Sequence, residues 1–155
     1  MATVKVTHEP SGTSFEAPDG WQVEETGHDA VLTVVEPARG EDDVRASLVL
    51  TVLDTGGRSF REWQNGTEGL LPQELRDYLV LDLHTVEVDG RPGGTRLAHH
   101  LDERGRALVM EQRFAEAEGT GYTLTATVDS LRYPLVADDM AACCASLHLP
   151  EEVAR

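Results

Sequence analysis

The stretch TRLAHHLDERGRALVMEQRFAEAEGTGYTLTATV, residues 95–128, decides the fold. It holds three runs with a period near two: Thr95–Leu101, Ala107–Phe114 and Tyr122–Val128. A turn at Glu103-Arg104-Gly105 and a loop at Glu118-Gly119-Thr120-Gly121 separate them. Successive side chains of a strand point to opposite faces, so this period predicts strands rather than helices. Strands joined by short turns pair antiparallel, and the stretch therefore reads as an antiparallel meander.

Working upstream, Val80–Val88 is a further strand, closed by the Asp89-Gly90 turn. Before it, Ser59 with Glu62 three residues on makes a capping box that starts a helix. That helix runs to Leu71 and places Phe60, Trp63, Thr67 and Leu70 on one face. Pro72 is expected to interrupt it, with a second turn or two from Pro72 to Tyr78 that point Leu75 and Leu79 inward. Further strands are expected at 3–8, Phe15–Pro18, Trp21–Glu24, Ala30–Val35 and Arg45–Leu53, the last apolar on both faces and hence central. Downstream, Pro134 to Leu147 forms a closing helix with a core stripe of Val136, Met140, Cys143 and Leu147. The order of strands, helix, strands, helix is α+β: an antiparallel β-sheet flanked by two main helices, not an alternating βαβ fold.

The chain has 155 residues and 40% hydrophobic content, enough for a single domain over 1–155 with its core in 13–148. Its net charge of -15 repels nucleic acid and anionic membranes, so no nucleic-acid partner and no membrane insertion are expected. The opening Met1–His8 has no apolar leader or cleavage site, which sets the expectation of a cytoplasmic protein. The adjacent Cys143 and Cys144 cannot easily bridge and read as reduced core residues.

Catalytic motifs are absent from the sequence. Thr55-Gly56-Gly57 and Pro92-Gly93-Gly94 lack the lysine and the strand-to-helix setting of a phosphate loop. His99 and His100 are neighbours on a strand, point to opposite faces and cannot easily share a metal. His99 is placed with Leu97 and Leu101 as a hydrogen-bonded core or boundary residue, His100 with Arg96 and Ala98 at the surface. His8, His28, His84 and His148 show no ligand spacing, and Glu36, Glu41, Asp42 and Asp43 read as a solvated acidic loop. No catalytic residue, metal or cofactor is assigned. One candidate surface stands out. Arg96, Ala98, His100, Val109, Glu111 and Arg113, with Thr123, Thr125 and Thr127, are read as one semi-polar sheet face, a platform on which a peptide or helix docks.

Several segments resemble a known group in order along the chain. They are Phe15-Glu-Ala-Pro18-Asp-Gly20-Trp21, Leu48–Val52, the aromatic helix start Phe60-Arg-Glu-Trp63, and Val88-Asp-Gly90-Arg-Pro-Gly-Gly94. Met110–Phe114, Gly121–Thr127 and Cys144-Ala-Ser146-Leu147 follow. The pattern resembles the Mog/PsbP-like fold family, which takes in LpqN-like and DcrB-like bacterial domains and Eag-type secretion chaperones. The resemblance implies an α/β/α sandwich, a binding rather than catalytic role, and Phe15 and Trp21 as core. The resulting expectation is a non-catalytic adaptor or chaperone-like domain that binds another protein, of which a secreted effector is one class. The alternative is a small-ligand or cation-binding domain using the acidic loop or the histidines. A free edge strand would also let two copies pair as a homodimer.

Overall fold

β-Branched and apolar runs set the strands, and glycine turns end them. The computed structural model describes residues 1–25 and 30–154, so His28 lies outside the described residues. Its strands are β1 (Thr3–His8), β2 (Thr13–Pro18), β3 (Gln22–Glu25), β4 (Ala30–Val35) and β5 (Ser47–Asp54). Helix α1 (Phe60–Glu74) follows, then β6 (Arg76–Val88), β7 (Arg91–Leu101), β8 (Ala107–Ala117), β9 (Thr120–Asp129) and α2 (Tyr133–Ala145). The architecture is α+β, as the sequence pattern predicts.

The strands form two antiparallel sheets. β1 and β2 make a separate hairpin, and the other seven are ordered β3-β4-β5-β9-β8-β7-β6. β5 is central, between β4 and β9. The meander is regular: Leu101 faces Ala107 across one turn and Ala117 faces Thr120 across the next. The main core lies between this sheet and a layer made of α2 and the hairpin. Leu48, Leu50, Leu124, Ala126 and Val128 of the sheet meet Phe15 and Ala17 of β2 and Met140, Cys143 and Leu147 of α2. Ser146 Oγ accepts from the Glu16 N–H at 2.7 Å, which ties the hairpin to the end of α2. Helix α1 covers the opposite face of the sheet, where Trp63 is buried.

The Ser59 capping box forms as read: Ser59 Oγ accepts from the Glu62 N–H at 3.1 Å, and Glu62 Oε1 accepts from the Ser59 N–H at 3.0 Å. Pro72, in contrast, does not interrupt α1, which continues to Glu74. A proline in the last turn removes only its own N–H, and the Leu75 N–H still donates to Leu71 O at 2.8 Å. Residues 76–79 are not helical. Arg76 pairs with Leu101 and Leu79 with His99, so the β7 ladder claims this segment. Leu70 and Leu79 are exposed rather than inward.

Glu36 also departs from the expected solvated loop. It is buried, and its carboxylate accepts from Arg132 at 2.6 and 3.2 Å and from the Ala46 N–H at 2.7 Å. Burial acts to raise its pKa. The hydrogen bonds from Arg132 and Ala46, with the charges of Arg132 and Arg39, outweigh this and hold it below the usual carboxylate range.

Candidate functional site

Strand alternation and register decide which candidate residues meet. Arg96 faces Gln112, Ala98 faces Met110 and His100 faces Leu108 across β7 and β8. Met110 faces Thr127, Gln112 faces Thr125 and Phe114 faces Thr123 across β8 and β9. Directly opposed residues share a face. Arg96, Ala98, His100, Thr123, Thr125 and Thr127 are therefore together on the α1 side, as read. Val109, Glu111 and Arg113 are one residue out of phase and lie on the opposite, α2 side. There Val109 is buried, and burial raises the Glu111 carboxyl above its ordinary range.

The α1 face is not an open platform along its whole width. Arg96 is 1% exposed, Ala98 fully buried and His100 9% exposed, whereas His99 is only half-buried. His100 is thus buried rather than at the surface, while His99 sits at the boundary, one of the two placements expected for it. Of the residues read as the platform on this face, the three threonines remain partly open, beside Ser47, Val49 and Thr51 of β5.

Helix α1 supplies what buries Arg96. Gln64 and Glu68 are four residues apart, hence on one helical face. The Arg96 guanidinium binds the Glu68 carboxylate through Nε, donates through Nη1 to Gln112 Oε1 at 2.5 Å and through Nη2 to Gln64 Oε1 at 2.7 Å. Its Cζ sits 4.7 Å from the Phe114 ring centroid, a cation–π contact. Gln112 Nε2 passes the network on to Thr125 Oγ1 at 3.0 Å. The clamp thus links α1, β7, β8 and β9. Beside it the Tyr78 hydroxyl is buried without a hydrogen-bond partner among the described residues, and desolvation, then the Glu68 charge, raises its pKa.

An aromatic cluster closes the end of the clamp. Phe60 stacks on Phe114 at 6.1 Å between centroids, and Trp63 meets Phe114 edge-on at 6.3 Å. Two glycines make room for the rings. A Cβ on Gly94 would lie 2.6 Å from the Phe114 ring, and one on Gly121 2.5 Å from the Trp63 ring. Between α1 and β6 this leaves a cleft of about 320 Å³, walled by Phe60, Leu83 and Phe114 and floored by Arg96, Gln64 and Glu68. The sequence carried a signal for it: small Gly94 and Ala98 flank Arg96, and Gln64 and Glu68 keep helical spacing.

Little in this arrangement can do covalent chemistry. The clamp's charges neutralise each other. The Asp82–His84 pair, 3.4 Å apart, is more than half exposed, and by register it lies on the α2 side of β6, away from the clamp. Cys143 and Cys144 lie on the other side of the sheet, and burial pushes the Cys143 thiol up to about 11 and the Cys144 thiol well above its ordinary value. Among the described residues no three His, Cys, Asp or Glu side chains converge as a metal site, and no helix is long and apolar enough to cross a membrane.

This is an antiparallel-sheet α/β/α sandwich with a cleft on its α1 face, and solved structures share the fold. The chain matches cyanobacterial PsbP (CyanoP) of Synechocystis sp. PCC 6803 with a TM-score of 0.71, over 96% of this chain and 92% of that one, at 13% identity. LpqN of Mycobacterium tuberculosis, involved in cell envelope biogenesis, gives 0.70 over 96% and 91%, at 14% identity. PA94 of Pseudomonas aeruginosa, a protein of unknown function, gives 0.64 over 94% and 96%, at 17% identity. The chain has the PsbP/LpqN-like fold. No family model and no curated protein matches the sequence.

Proposed function

We propose that this chain is a non-catalytic protein-binding domain, an adaptor or chaperone-like factor that takes an apolar segment of its partner in the α1/β6 cleft. The observation that carries this reading is the cleft itself. Its walls are Phe60, Leu83 and Phe114, and the polar groups on its floor already satisfy one another. Such a site offers shape and apolar area without an activated group. The clients of the secretion chaperones that the sequence resembles make a secreted effector the first partner class to test.

The test is a salt-washed affinity capture from the source organism, comparing wild type with a folded Phe60→Asp variant. One partner in stoichiometric yield with wild type, depleted at least about tenfold by Phe60→Asp, is the expected result. A wild-type chain that survives the wash alone, or a partner held equally by the variant, overturns the reading.

A further inference from the structure

The two faces of the sheet are covered unequally. Along β7 the α1-side residues Arg96, Ala98 and His100 are buried, while Thr95, Leu97, His99 and Leu101 on the α2 side are half-open. Helix α2 packs chiefly on β2, β8 and β9. Beyond it, on the same face of β6, Leu79 is 58% exposed and the side chains of Asp82 and His84 are as open. The open strip over β6 and β7 is about 10 Å wide, close to the diameter of one α-helix.

Strand register sorts the charges of this strip into rows. His84 faces Thr95 and Thr95 faces Arg113, which puts an imidazole and a guanidinium in one row. Asp82 faces Leu97 and Leu97 faces Glu111, which puts two carboxylates in the next. Leu79, His99 and Val109 make the row after that. Arg113 Nε is buried and has no hydrogen-bond partner among the described residues, and no basic neighbour offsets the burial of Glu111. Half-buried charges left in this way gain from a partner that pairs them.

We propose that this strip is a second docking surface, for an amphipathic helix of a partner protein that carries an acidic residue, a basic residue one turn away and an apolar residue in the turn beyond. Spacing selects this pattern. Neighbouring rows on one face of a strand lie about 6.6–6.8 Å apart, and four residues of helix advance about 6 Å. An acid over the His84–Arg113 row therefore sets the next turn over Asp82 and Glu111, where a base belongs, and the following turn over Leu79 and His99. The helices of a second copy do not fit. α2 holds no basic residue, and Arg61, the single base of α1, has no acid three or four positions away. The surface lies on the opposite side of the sheet from Phe60 and does not rest on the proposed use of the cleft.

Three stapled helical peptides of about fourteen residues, some 21 Å long, test the proposal on the purified full chain. They share a leucine in the last turn and differ only at two positions four residues apart: Glu/Lys, Lys/Lys and Gln/Gln. Fluorescence anisotropy at about 0.15 M salt should show Glu/Lys binding wild type at least about tenfold more tightly than the other two. The chain's net charge of -15 favours Lys/Lys at long range, so this order can come only from the local rows. Arg113→Glu should invert the order of Glu/Lys and Lys/Lys. His84→Glu, at an exposed site, should shift it in the same direction and decides the matter where Arg113→Glu fails to fold. Phe60→Asp should leave all three affinities unchanged. The proposal is overturned by Lys/Lys binding wild type as tightly as Glu/Lys, by a Glu/Lys lead that His84→Glu does not reduce, or by no binding at about 1 mM. Loss of Glu/Lys binding in Phe60→Asp overturns it too, since the peptide would then occupy the cleft.

Discussion

Replacing Arg96 with methionine tests whether the polar clamp holds α1 onto the sheet. Methionine keeps the length and the contact with Phe114 but removes every donor. Glu68 and Gln64 are partly exposed and can turn to water, so their loss is small. Gln112 is buried, and its Oε1 loses the Arg96 donor, which costs about 1–3 kcal/mol. The cation–π contact adds about 0.5–2 kcal/mol. Relief of the arginine's own desolvation offsets part of this, and the expected net loss is about 2–3 kcal/mol, at or below the range for breaking a buried ion pair. For a domain of this length that is a fall in Tm of roughly 4–12 °C. Urea unfolding followed by far-ultraviolet circular dichroism measures it, with Arg96→Met/Glu68→Met as the companion. The double variant should unfold within about 1 kcal/mol of the single one or recover stability, because no charge is left facing an apolar site. A single variant indistinguishable from wild type would refute the reasoning, since the hydrogen bonds would then only repay the guanidinium's burial.

Two further outcomes follow from the titratable groups. The folded-state pKa of Glu36 is lowered, so its stabilisation is complete above its unfolded value and fades as pH falls through the folded one. Glu36→Gln should cost about 1.5–3 kcal/mol near neutral pH and progressively less below about pH 4.5, read as the gap between wild-type and variant urea midpoints; a gap that widens in acid would contradict the Arg132 pairing. With both thiols buried and their pKa values raised, a disulfide reagent at pH 8 should label neither Cys143 nor Cys144 in the native chain and both after unfolding. Native labelling within minutes would show that the α2 face is open.

The fold was legible wherever local chemistry and tertiary context agreed. Ala30–Val35, the meander turns and the Ser59–Glu62 box all follow from neighbours a few residues away. The site was less legible, because its logic is non-local. Arg96 and His100 alternate with leucines, which reads as a polar outer face. That face is buried because Glu68, twenty-eight residues distant, neutralises the arginine. Glu36 misleads in the same way, since its partner Arg132 lies ninety-six residues on. Pro72 shows the converse: a strong local breaker costs little in a last turn, while the β7 ladder decides where the strand begins. Val109, Glu111 and Arg113 fell on the wrong face because one residue of phase exchanges the two sides of a strand.

The same clamp restricts what the cleft can accept. An anionic ligand group aimed at Arg96 would have to displace Glu68 from a guanidinium that has no access to water. Displacing Glu68 gives up this charge-assisted bond to the buried guanidinium, and the new ion pair must first recover that loss before it contributes anything. An apolar segment leaves the clamp intact and covers the half-buried Phe60 and the exposed Leu83. The contrast with the other side of the sheet reinforces the point. There, α2 and the β1–β2 hairpin cover the main apolar core. On the α1 side a single helix, held by one charged cluster, leaves an apolar trough along β6. Selectivity for an apolar occupant is therefore a consequence of how α1 is anchored: the residues that fix the helix also exclude the polar ligands that an arginine at the base of a cleft would otherwise attract.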